Sequence, residues 1–102
     1  MYADDFVLHY FGDSPLAEDH VGKEAALTAL ARATTRTNRR LLDIEDVLEG
    51  RVLSAIVARE EVGTDERRIV RRVLLYRTDT AKLTECWLYD EDQRAIDALW
   101  SA

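Results

Sequence analysis

Cysteine is nearly missing from this chain. The lone thiol, Cys86, excludes an internal disulfide. Proline occurs only at Pro15 and glycine at four positions, too few for a low-complexity or disordered polypeptide. No period of about 20–50 residues marks a repeat array. No apolar run approaches the ~20 residues that cross a bilayer, and the first residues, MYADDF, put carboxylates where a secretory leader needs basic ones. The expectation is a cytoplasmic chain with no membrane association. Basic residues are outnumbered, 14 Lys and Arg against 20 Asp and Glu, for a net charge of −6. That balance disfavours nucleic acid and anionic membranes, since both require positive charge. Arginines do cluster, at Arg36, Arg39 and Arg40 and again at Arg67, Arg68, Arg71 and Arg72. Without interleaved aromatics for base stacking, they read as charges edging a sheet.

What is present is enough for one core. With 47% hydrophobic residues, residues 1–102 form a single domain. The run from Phe6 to Phe11, FVLHYF, is dense in β-formers and stops at the turn signal GDSP. Alternation there separates Phe6, Leu8 and Tyr10 from Val7, His9 and Phe11. From Gly22 to about Thr35, Ala26, Leu27, Leu30 and Ala33 recur at helical spacing among alanines, predicting a helix with a stripe of small side chains that can lie close to a sheet. Four strand-like segments follow, Arg40 to Glu49, Val52 to Glu61, Arg68 to Tyr76 and Leu83 to Tyr89. Loops this short make consecutive strands antiparallel neighbours. The closing residues return to helical period through Ala95, Ile96, Leu99 and Trp100, after an acidic segment, Asp90 to Gln93, patterned like a capping box. The fold class is α+β, a curved antiparallel sheet packed on a helix.

Two stretches carry a family likeness. YADDFVLHYFGDSPLAEDHVGKEAAL (Tyr2 to Leu27) resembles the first strand, glycine turn and Gly-Lys-Glu helix start of the SnoaL-like polyketide cyclase group within the NTF2-like superfamily. LTECWLYDEDQRAIDALWS (Leu83 to Ser101) resembles that group's last strand, acidic turn and terminal tryptophan. The likeness implies a cone-shaped, cystatin-like domain. It also implies helices ahead of the YADD-like segment, where here Met1 stands directly before it. The expectation is an N-terminally shortened cone whose open side is covered by a second copy, a homodimer.

Related enzymes set working groups inside the cone, and the likeness puts Leu8 and Tyr10 on that side. Ketosteroid isomerases keep a carboxylate where this chain has Tyr10 and a second acid where it has Leu74, so that chemistry is not expected. In limonene-epoxide hydrolases an arginine lies where Arg72 falls and an aspartate near Asp90, again with Leu74 in place of the second aspartate. SnoaL-like cyclases use an aspartate as acid and base in an aldol closure. Asp90 is the residue matched to that role, with Asp92 second. Each has a plain structural alternative: Asp90 as a helix N-cap, Tyr10 as a core aromatic, Arg72 as a side chain snorkelling at the sheet edge.

The candidate site is therefore Tyr10, Arg72 and Asp90 in a pocket lined by Leu8, Leu74, Tyr76, Cys86 and Leu88. His9 alternates to the opposite face from Tyr10, His20 sits in a polar loop, and neither has a partner at metal-ligand spacing, so no metal or cofactor is expected. Cys86, in mid-strand, reads as a small buried hydrophobe. The functional expectation is a protein that binds a small apolar or aromatic molecule in the sheet's concavity, with acid–base chemistry of the cyclase, isomerase or hydrolase type. The alternative, of a different class, is a non-catalytic dimerisation or protein-interaction module.

Overall fold

A computed structural model describes residues 1–101, with side chains through Trp100. Its elements run β1 (Tyr2–Tyr10), β2 (Asp19–Val21), α1 (Lys23–Thr37), β3 (Arg40–Glu49), β4 (Leu53–Val62), β5 (Arg68–Asp79), β6 (Lys82–Asp90) and α2 (Gln93–Ser101). The strands form one six-stranded sheet in the order β2-β1-β6-β5-β4-β3. The α+β class is as expected. The sheet is mixed, however, because β1 pairs with β6 in parallel. Short loops dictate direction only between successive strands. Between β1 and β6 lies most of the chain, long enough for a parallel return. The three-residue β2 was not legible either; it is too short to show a period.

Register fixes the two faces. Opposite Leu8 on β1 stands Cys86, and opposite Tyr10 stands Leu88; on β5, Arg72, Leu74 and Tyr76 stand opposite Asp90, Leu88 and Cys86. These residues share the inner face with Ala58 and Ile56 of β4. His9, Trp87 and Tyr89 share the outer face. Register shifts between Leu41 and Asp43 and between Ile44 and Asp46 bend β3 along β4, as bulges do.

Helix α1 lies on the inner face through Ala26, Ala29, Ala33 and Thr37, all buried. Small side chains at this spacing let the backbone approach the sheet. Leu27 and Leu30, expected in the stripe, are only half-buried along its rim. The helix stops at Asn38, whose left-handed backbone (φ 49°, ψ 51°) turns the chain so that the Asn38 N–H donates to the Thr35 carbonyl and the Arg39 N–H to the Thr34 carbonyl. Phe6, Leu8, Tyr10, Leu16, Cys86 and Leu88 pack beneath α1 as one apolar cluster. Val62, Val70 and Ile96 form a second, under α2. By contrast β3 is exposed along almost its whole length.

The β5–β6 hairpin closes through Thr80 and Ala81, both at positive φ (47° and 65°). Two successive left-handed residues suit Asn-Gly, and a β-branched threonine resists that conformation. The double variant Thr80→Asn, Ala81→Gly is expected to raise stability by about 1 kcal/mol. Thermal unfolding of the two proteins side by side checks this; an unchanged or lowered midpoint contradicts it.

Candidate functional site

Four charged side chains meet under the inner face. Arg39 leaves the α1–β3 connection, Glu60 stands on β4, Arg72 on β5, and Asp90 ends β6. Arg39 Nη1 donates to Glu60 Oε1 at 2.7 Å and to Asp90 Oδ1 at 3.2 Å. Arg72 Nε lies 3.5 Å from Glu60 and 3.6 Å from Asp90. The Arg39 and Asp90 side chains are 2% exposed. Along β5 the cluster falls between Val70 and Leu74, so it separates the two apolar clusters.

Alternation explains the convergence. Glu60 lies between Ala58 and Val62, both buried, so its side chain is carried to the same face. Arg72 follows Val70 by two residues, and Asp90 follows Leu88 by two. Burying four charges is costly, and it is tolerable here because two cations and two anions balance at close range. Burial, and then the Arg39 charge, press the Arg72 guanidinium below its ordinary range, while Asp90 and Glu60 pull the other way. Burial lifts the Tyr10 hydroxyl above its usual value, which keeps it a neutral donor.

Among the described residues, the buried Arg39 Nε and Nη2 make no hydrogen bond, Arg72 Nε reaches its two carboxylates only at ion-pair distance, and the Tyr10 hydroxyl and Trp100 Nε1 are buried with no acceptor other than each other. Such groups cost free energy unless something accepts from them. Cys86 lies in the core, and burial pushes its thiol up to about 12. It stays protonated and is no nucleophile at neutral pH.

The structure thus brings Tyr10, Arg72 and Asp90 into one region. Arg72 is buried, so it does not snorkel at an edge. Asp90 does not cap α2: that cap is Asp92, whose Oδ1 accepts from the Ala95 N–H at 3.1 Å. Arg39 and Glu60 were missed. Glu60 was signalled by a carboxylate on the apolar parity of β4, whereas Arg39 sits in a connection with no period to orient it.

The lining residues divide. Leu8, Cys86 and Leu88 are sealed in the core at 0, 1 and 2% exposure. Leu74 and Tyr76 are half-buried on the inner face, next to Ile56 and, further out, Val47 and Ile44. Three surface grooves run along α1 instead, lined by residues such as Lys23, Thr28, Ala31 and Arg32. None of these three includes Tyr10, Arg72 or Asp90. Among the described residues no group of His, Cys, Asp and Glu could hold a metal ion, and no helix is long and apolar enough to cross a membrane.

No protein-family model matches the chain, and no curated protein matches it. Solved structures do. A protein with a cystatin-like fold from Xanthomonas campestris superposes with a TM-score of 0.85 at 20% identity, over 97% of this chain and 79% of that one. An NTF2-like protein from Burkholderia pseudomallei gives 0.81 at 14% identity, over 99% and 80%. A protein named for its likeness to SnoaL polyketide cyclases, from Jannaschia sp. CCS1, gives 0.80 at 13% identity, over 99% and 74%. Helices on a curved sheet in the same arrangement, at identities that speak for architecture alone, give this chain the α+β fold of the NTF2-like, cystatin-like and SnoaL-like proteins.

Proposed function

We propose that this chain binds a small apolar or aromatic molecule on the concave face of its sheet, with Tyr10, Arg72 and Asp90 at the polar end. The observation that carries this reading is a buried, charge-balanced cluster with unpartnered donors, set beside a half-open apolar floor of Ile56, Leu74 and Tyr76. An apolar floor with a few convergent polar groups is the usual composition of a small-molecule site. The likeness in fold to a protein named for polyketide cyclases supports the same ligand class. Acid–base chemistry of the cyclase, isomerase or hydrolase type would run through Asp90, with Arg72 as the rigid cation beside it.

A second reading rests on β3. Leu41, Ile44, Val47 and Leu48 are each at least 47% exposed on this strand. A homodimer or a non-catalytic interaction module would cover them.

2-Naphthol, a flat apolar body with one hydroxyl, distinguishes the two. In a Trp87→Phe background Trp100 is the sole tryptophan reporter. Saturable quenching is expected, weakened roughly tenfold or more by Leu74→Glu, which sets a charge on the apolar floor. Absence of saturable quenching, together with a dimer in sedimentation equilibrium, selects the second reading.

A further inference from the structure

On the outer face, away from the charged cluster, His9 lies between two carboxylates on different strands. Its Nδ1 is 2.7 Å from Asp19 Oδ1 on β2, and its Nε2 meets Glu85 Oε2 on β6. The ring stacks on Trp87 (centroids 5.1 Å apart, planes at 13°). The Arg77 guanidinium of β5 lies 5.5 Å from the centre of the Trp87 ring, and its Nε is 3.7 Å from Glu85. Asp19, Glu85 and Arg77 are thus the charged groups facing the imidazole from β2, β6 and β5.

A neutral imidazole carries one N–H and one lone pair, and an ionised carboxylate only accepts. Both ring nitrogens can bond both carboxylates only when the ring is protonated. We propose that His9 is a proton-dependent clamp that fastens the short β2 edge strand, through β1, to β6. Deprotonation takes the donor from one of its two bonds and leaves a lone pair facing a carboxylate. Among the described residues β2 pairs with Val7, Leu8 and His9 alone, with one further backbone bond past its end, from the Gly22 N–H to the Phe6 carbonyl, so it is a short edge strand. The loop between β1 and β2 is tied to the same edge through the Tyr10 N–H to the Glu18 carbonyl, and it delivers Leu16 into the apolar cluster that contains Tyr10. Releasing the clamp therefore loosens one wall of the cone.

The direction of the pH effect follows. Burial alone would lower the imidazole, but hydrogen bonds to Glu85 and Asp19 and their charges outweigh it and raise it. The clamp's contribution is therefore complete below the ordinary histidine value of about 6.5 and is lost as pH rises through the raised value in the folded chain.

Amide hydrogen exchange of residues 11–22, corrected for intrinsic rates, tests this across the titration of the ring, which NMR of the imidazole follows in the same protein. Protection is expected to fall roughly tenfold as the ring loses its proton. His9→Gln should abolish that dependence. His20→Gln should keep it, because among the described residues the His20 ring bonds the Leu16 carbonyl and no carboxylate. Flat protection in the parent protein, or a pH dependence that survives His9→Gln, overturns the proposal. If His9→Gln does not fold, Asp19→Asn, at an exposed carboxylate, serves in its place: a dependence it leaves intact overturns the clamp, and a dependence it removes supports it.

Discussion

Asp90→Ala is expected to destabilise the domain by about 3–5 kcal/mol, a large share of the roughly 5–15 kcal/mol that holds a domain of this kind together. Asp90 is nearly inaccessible and lies against both Arg39 and Arg72. Removing it leaves two buried guanidinium groups facing Glu60 alone, an uncompensated positive charge where water cannot solvate it. Urea unfolding measures the loss. The informative companion is the fourfold variant Arg39→Met, Glu60→Leu, Arg72→Met, Asp90→Leu. It removes the whole cluster in favour of apolar groups of similar volume, and it is expected to recover most or all of the loss, because a buried ion-pair network contributes little net stability relative to good apolar packing. A fourfold variant as unstable as Asp90→Ala would show the cluster to be a structural necessity, and it would remove the motive for reading it as a binding site.

Phe6→Ala is expected to cost about 3–5 kcal/mol as well, by a different mechanism. Phe6 is wholly buried, at the centre of the cluster under α1, and its ring meets Tyr2 edge-on with centroids 5.0 Å apart. Truncation loses the transfer free energy of the ring and leaves a cavity that cannot collapse. On one side is a hydrogen-bonded sheet, and on the other the helix already rests on alanines, which have no side chain to move inward. Phe6→Leu should cost markedly less, since it refills most of the space. Equal losses for the two variants in chemical denaturation would contradict the cavity account.

Element by element, strand existence was legible even where the strand does not reach the core. The exposed β3 occupies the span expected of it, and β4 and β6 begin and end one residue away, whereas β1 begins at Tyr2 rather than Phe6 and β5 runs on past Tyr76 to Asp79. Helix α1 was legible from alanine content and spacing. What was misplaced is where neighbours decide. Leu27 and Leu30 have the spacing of a buried stripe, but the sheet is approached most closely along Ala26, Ala29 and Ala33, and the larger side chains are left at the rim. Asp90 and Asp92 are both acidic and both close to the start of α2, so spacing alone could not say which one caps it. The answer comes from β6 running far enough to put Asp90 opposite Arg72.

By itself the sequence determined the order and kind of most elements and the alternation that sets His9 and Tyr10 on opposite faces of β1, because side-chain direction in a strand follows residue count; which face turns inward, and the matching of Arg72 and Asp90 to it, came from the family resemblance. Only the tertiary structure decided that β1 joins β6 in parallel, that Arg39 and Glu60 complete the charged cluster, and that His9 stands between Asp19 and Glu85. Each of these is a meeting of residues separated by many positions in the chain. Such meetings depend on strand order and register, and neither is encoded in any one local stretch.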